Sequence, residues 1–353
     1  MTGEILPAAS APPIAVESTI DTHLSQEARD AIAAGTATST RRNYAGDWAR
    51  FTEWCTSVGR RSLPATAETV VEYTAWCTRT IRPRTGRTYS VTAIERALSA
   101  IRTAHRLAGH TPPETKAARM VLRGYAEHLA LTKSPAAQPR KATPAEPPAL
   151  RKALATLDRN TLIGKRDAAL MLIGYAVAGR GSELVPLDIP DFTDVEEGLE
   201  VPIYRVKKKE FTQTAIPFGS VPSTCPVRAF RALVMAMAEV GRTEGPLFVR
   251  IDRHGRVAPP MFRGGKPIGD PSGRMTAEAA SDIVERSMEA AELEGRWRSH
   301  SLRRGFVNAS RKAGHDIVKI GRHGGWADGS KALLGYIDDA DKWEDNPVAG
   351  TGL

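Results

Sequence analysis

A chain of 353 residues, 41% hydrophobic and 25% charged, has the composition of a folded globular protein and the length of two domains. It holds no apolar run long enough for a membrane helix, no basic-then-apolar leader in residues 1–23, and only three cysteines, Cys55, Cys77 and Cys225, without metal-binding spacing. These features exclude a helical membrane protein, predict a cytoplasmic one with reduced thiols, and imply no metal or other cofactor. A net charge of +9, with seventeen Lys and Arg against eight Asp and Glu between Arg29 and Lys133, makes a polyanion the first partner to consider.

Residues 1–22, rich in Ala, Pro, Ser and Thr, read as a disordered arm. A helical domain is expected over 23–132. Tyr44, Trp48, Phe51, Cys55 and Val58 recur at steps of three and four before Gly59, as on one face of a helix ended by glycine. Thr66 caps a second helix through Val70, Tyr73 and Cys77, and Ser90 a third through Ile94, Leu98, Ile101 and His105. A fourth runs from Glu114 through Leu122, Tyr125 and Leu129. His105 lies on an apolar stripe and reads as a hydrogen-bonded core residue.

Residues 133–148 carry Pro135, Pro139, Pro144, Pro147 and Pro148 and read as an extended linker. The second domain, 149–353, begins with helical patterns at Leu150–Leu157 and Asp167–Val177. It then changes period: Leu199–Val206 and Phe211–Phe218 alternate about the charged tip Lys207-Lys208-Lys209-Glu210, as in a β-hairpin. Helical patterns return at Val227–Val240, Ala277–Leu293, Leu302–Ala313 and Ser330–Ile337. The class expected is mainly α with a small antiparallel sheet.

Chemistry concentrates in this second domain. HSLRRGF puts His300 and Arg303 three residues apart on one helix face. AGRGSEL places Arg180 after an apolar helix with Glu183 one turn on, GRHGGW sets Trp326 behind two glycines, and Tyr336 follows on a short helix. An Arg, a lysine-tipped hairpin, His-x-x-Arg, Trp and then Tyr, in that order, resembles the tyrosine recombinase (phage integrase) family over about residues 30–350.

The physical reading of the residues agrees. A phosphodiester resists an anionic nucleophile unless the charge gathering on its oxygens is neutralised. Arg180 and Arg303 offer permanently charged, forked donors for that purpose. Tyrosine is a weak nucleophile until a proton acceptor assists it, and His300 is the obvious acceptor.

The resemblance implies a helical core-binding (SAM-like) domain and a catalytic domain that close around double-stranded DNA as a clamp. Tyr336 would form a 3′-phosphotyrosyl link in DNA integration or excision, without metal or ATP. It also implies Lys207 as the acid for the leaving 5′ oxygen, with Lys208 and Lys209 as competitors, Trp326 beside the phosphate, and Glu183 as an acid holding the arginine and histidine. Four protomers on two DNA sites, each passing its tail after Tyr336, with Trp343 as anchor, complete the implied picture for a bacterial or mobile-element protein.

DNA-backbone contacts are expected from Arg41, Arg42, Arg82, Arg84 and Arg87, and from Lys208 and Lys209. Tyr336 stands ten residues after Trp326, one more than is usual in the family. Tyr175 and Tyr204 read as core. Two other readings remain: a type IB topoisomerase that nicks and closes DNA, and a DNA-binding protein that kept the fold without the chemistry, against which the full residue set argues.

Overall fold

The structure, a computed structural model, describes residues 25–35, 37–83, 85–137 and 141–341, with Val348 and Thr351. The chain divides into two compact units, one on each side of the Pro139–Arg140 junction. The expected arm, 1–22, lies outside the described residues.

The first unit is helical: α1 (Gln26–Gly35), α2 (Thr38–Ser57), α3 (Ala67–Arg79), α4 (Val91–Leu107) and α5 (Lys116–Leu131). Phe51 and Cys55 of α2, Val70, Tyr73 and Cys77 of α3, Ile94, Leu98 and Ile101 of α4, and Leu122 of α5 share one buried core. They are the residues whose spacing marks one face of each helix, and their burial is the main source of stability. Thr66 and Ser90 accept the first free N–H groups of α3 and α4, from Thr69 and Ala93, each at 3.3 Å, which satisfies donors no helical carbonyl can reach. Buried Asp47 ties α2 to α4 through Arg96 at 2.7 Å. His105 is a core residue: Nδ1 lies 2.7 Å from the Ile101 carbonyl, and Nε2 accepts the Ala65 N–H at 2.8 Å. Two expectations change. Val58 is half-exposed at the end of α2, and α1 is a helix additional to the four expected.

The second unit contains α6 (Pro147–Ala155), α7 (Leu162–Ala176), α8 (Gly181–Leu184), β1 (Thr193–Val195), β2 (Gly198–Arg205), β3 (Glu210–Pro217), α9 (Pro226–Glu239), β4 (Met261–Arg263), β5 (Lys266–Ile268), α10 (Ala277–Ala290), α11 (Ser299–Lys312), α12 (Ile317–His323) and α13 (Lys331–Asp341). It is mainly α with two small antiparallel sheets, β1-β2-β3 and β4-β5. Helix α7 is buried from Arg166 to Gly174 on all faces, which marks it as the centre of the core, with α9 and α11 packed on it.

The linker needs correction. Pro147 opens α6, where proline's missing N–H costs nothing. Before it, Thr143 donates its N–H to the Arg296 carbonyl at 2.9 Å, and Ala145 donates to the Ser301 carbonyl at 2.9 Å. Residues 143–146 therefore belong to the second unit's framework. Tyr204 also differs from expectation: it points outward from β2, 42% exposed, against Phe211, because strand parity turns it away from Ile203 and Arg205.

Candidate active site

Helix α7 ends at Ala176, and the chain reverses through Ala178, whose φ of +48° is left-handed and so conformationally costly for a residue with a Cβ. Arg180 comes next, at the N-cap of α8. Glu183, 2% exposed, lies one turn further and gathers two arginines. It accepts from Arg180 Nη1 at 2.5 Å and from the Arg180 backbone N–H at 3.1 Å, and from Arg205 Nη1 at 3.3 Å. No described hydrogen bond joins Glu183 to His300, so the expected bridge from the acid to the histidine is replaced by an arginine–carboxylate–arginine chain. Burying the Glu183 and Arg205 charges is tolerable here because each meets the other.

Arg205 belongs to none of the motifs. It ends β2 on the inward parity of Leu199, Val201 and Ile203, fully buried. Its Nη2 donates to the carbonyls of His323 at 2.8 Å and Val177 at 3.3 Å. An arginine in a strand's buried register requires a counter-charge and acceptors, and that parity is the signal by which sequence could have found it.

Helix α11 presents His300, Arg303 and Arg304. Arg303 is fully buried, with Nη1 donating to the Ala178 carbonyl at 2.5 Å and the Gly324 carbonyl at 2.8 Å. Its Nε and Nη2 are buried with no partner among the described residues. Its guanidinium carbon stands 3.3 Å from the centroid of the buried Trp326 ring, a cation–π contact. The two glycines before Trp326 permit this approach. A Cβ on Gly324 would come 2.0 Å from the Trp326 ring, and one on Gly325, at φ +69°, 2.6 Å from Arg205.

The Tyr336 hydroxyl lies 2.7 Å from His300 Nε2. The Trp326 ring meets the Tyr336 ring edge-on, 5.8 Å between centroids, and the Arg304 guanidinium is 5.3 Å from it. The connection from Trp326 to Tyr336 turns through Gly329 at φ +71°, and α13 is seated by buried Leu333 and Ile337. Burial, and then the charges of Arg303, Arg180, Arg304 and Lys207, push the His300 imidazole down to about 4, so it is neutral at physiological pH. Burial, followed by the charge of Arg180, also draws the Arg303 guanidinium down to about 9, which leaves it charged at neutrality.

Arg180, Glu183, His300, Arg303, Trp326 and Tyr336 are thus linked by direct contacts or by mutual electrostatics. Lys207 sits exposed in the β2–β3 turn with no described hydrogen bond, felt at His300 only through its charge. Lys208 pairs with Glu210 at 3.0 Å, and Lys209 adopts a left-handed φ of +58°. Arg41 and Arg42 are exposed on α2. Arg82, half-buried, lies 5.1 Å over the Tyr89 ring, and Arg87 Nη1 reaches the Pro135 carbonyl at 3.5 Å, so both are partly engaged within the first unit. Arg84 and Trp343 lie outside the described residues. No three His, Cys, Asp or Glu side chains among the described residues converge as metal ligands, and no described helix is long and apolar enough to cross a membrane.

Three comparisons bear on this arrangement. The model of the phage integrase family matches residues 145–342. An integrase/recombinase xerD homolog of Selenomonas ruminantium is 28% identical over 334 residues, covering 92% of this chain and 89% of the relative. Among solved structures, a lambda integrase dimer bound to a COC′ core site shares the fold at a TM-score of 0.52, with 14% identity over 89% of this chain and 94% of that one.

Proposed function

Since the chain belongs to the phage integrase family, we propose that it is a tyrosine-type site-specific recombinase acting on double-stranded DNA through the residues gathered at His300 and Tyr336. The observation that carries this reading is the 2.7 Å contact between the Tyr336 hydroxyl and His300 Nε2, inside a cluster of arginines able to receive a phosphate.

The chemistry follows from the groups present. A scissile phosphate enters opposite Arg180 and Arg303; the unpartnered Nε and Nη2 of Arg303 are donors matched to phosphate oxygens. With His300 neutral and Nδ1 protonated, Nε2 accepts the Tyr336 proton as the phenol oxygen attacks phosphorus. The P–O5′ bond breaks as the O–P bond to Tyr336 forms, leaving a 3′-phosphotyrosyl link. The leaving O5′ takes a proton from Lys207, carried to the site by its exposed, unbonded side chain. Attack by the 5′ hydroxyl of another strand reverses each transfer, so the phosphate bond energy is retained and strands are exchanged. Arg180 and Arg303 stabilise the charge that develops on the nonbridging oxygens, and preorganised electrostatics of this kind commonly lowers a barrier more than any other single effect.

Exchange between two duplexes calls for a homotetramer on two DNA sites, with the basic first unit gripping the backbone. The test is a suicide substrate nicked beside the scissile phosphate, which lets the cleaved end diffuse away. The native protein accumulates a covalent protein–DNA complex, and Tyr336→Phe accumulates none. A trapped complex in the Phe variant would reject Tyr336 as nucleophile, and relaxation of plasmids without recombinant products would assign the chain to nicking and closing alone.

A further inference from the structure

Arg304 follows Arg303 on α11, and the reaction above makes no use of it. It is 6% exposed, and its guanidinium carbon lies 5.3 Å from the Tyr336 ring centroid. Arg303 packs elsewhere, stacked on Trp326 and bonded to the Ala178 and Gly324 carbonyls, and acts on Tyr336 through its charge. Consecutive arginines on one helix thus lie over different rings, Arg303 over Trp326 and Arg304 over Tyr336.

Leu333 and Ile337, buried on either side of Tyr336 in the sequence of α13, seat the helix but leave the phenol's own torsions to whatever touches the ring. Among the described residues these include His300 at the hydroxyl, Trp326 at the ring edge, and Arg304 as a cation near the π system. A cation is drawn to an electron-rich ring, and a phenol ring becomes more electron-rich as its hydroxyl gives up its proton. The contact therefore strengthens while proton loss runs ahead of O–P bond formation, and an interaction stronger in the transition state than in the resting state raises a rate. The same charge also contributes to keeping the His300 imidazole neutral.

We propose that Arg304 is a positioning residue for the nucleophile, a buried cation that holds the Tyr336 ring in the His300 site of its own chain. The inference rests on the reading of Tyr336 as nucleophile and adds to it a group whose described contact is with the tyrosine ring.

The experiment uses the full chain with Arg304→Lys, Arg304→Met and Arg304→Gln, following single-turnover formation of the covalent complex on a suicide substrate and, separately, duplex affinity. Loss of ring positioning predicts a fall of roughly 30-fold in cleavage rate for Met and Gln, with duplex affinity within about twofold of native and Lys restoring the rate to within about fivefold. Native rates in both neutral variants, or a Lys variant no better than Met, overturn the proposal. A fluorotyrosine at position 336, read by 19F NMR without DNA, reports the ring's surroundings independently of cleavage. Its line shifts or doubles in Met and Gln and stays close to native in Lys; a line indifferent to all three overturns the proposal. Failure of the native protein itself to form a covalent complex counts against the nucleophile reading, and the NMR result still decides whether Arg304 holds the ring.

Discussion

Glu183 and Arg205 face each other across 3.3 Å with both side chains fully buried, and Arg180 meets the same carboxylate from a position nearer solvent. The pair joins the loop of Arg180 to the strand that leads to Lys207, so it has mechanical as well as electrostatic consequences. Glu183→Gln leaves Arg205 charged, buried and uncompensated, a loss of about 3–5 kcal/mol by the usual cost of breaking a buried pair. Arg205→Met leaves Glu183 its partner Arg180 and is expected to cost less. Thermal unfolding of the two variants ranks them; a milder Glu183→Gln would mean that the carboxylate does not organise the arginines.

Lys207 as acid makes a prediction specific to the leaving group. Replacing the bridging 5′ oxygen of the scissile phosphate with sulfur makes a leaving group that departs without a proton. Lys207→Ala is expected to cleave the ordinary substrate about 10²–10⁴-fold more slowly, the usual range for general acid catalysis, and the sulfur substrate near the native rate. Lys208→Ala and Lys209→Ala should show no such selective rescue. If one of them shows it and Lys207→Ala does not, the acid is reassigned.

His300 should mark the pH dependence of stability. Its folded-state value lies near 4, below its ordinary 6.5, so at pH above 6.5 both folded and unfolded states are neutral there and the stability is intact. As pH falls from about 6.5 towards 4, the unfolded chain takes up the proton first and stability is lost. His323, lowered by its burial, adds a contribution of the same sign. His300→Gln is expected to flatten the melting-temperature profile across this window relative to native. An unchanged slope would show that His300 titrates normally in the folded protein.

Gly325→Ala tests the turn that precedes Trp326. The left-handed φ of +69° and the approach to Arg205 together predict a destabilisation of about 1–3 kcal/mol from the backbone strain alone, plus displacement of Arg205. Gly329→Ala, also left-handed at φ +71° but with nothing within 4 Å of an added Cβ, serves as the comparison. Thermal unfolding should rank Gly325→Ala as the more damaging, and equal losses would mean that contact with Arg205 adds nothing.

Much of the fold is legible in the sequence because its signals are local. The stripes of Phe51 and Cys55, of Val70, Tyr73 and Cys77, and of Ile94, Leu98 and Ile101 follow helical spacing, and the alternation of Leu199, Val201 and Ile203 follows a strand. Short elements such as α8 and α12 leave no such mark, since four and seven residues span too few turns to show a period. The hairpin β4–β5 is exposed at every position and so shows no buried alternation to read.

The types and order of the proposed site residues are likewise set by the sequence: cations suited to a phosphate, an imidazole suited to accept a proton, a tyrosine suited to attack. Tertiary structure alone decided which of them meet. It brought Tyr336 to His300 across thirty-six positions, put Arg205 instead of His300 on Glu183, and divided Arg303 from Arg304 between two rings. The reason is physical. Helix and strand periods report which side of an element is buried, whereas the partner of a buried charge depends on which chain segments fold against it, and the strength of that pairing depends on the water they exclude.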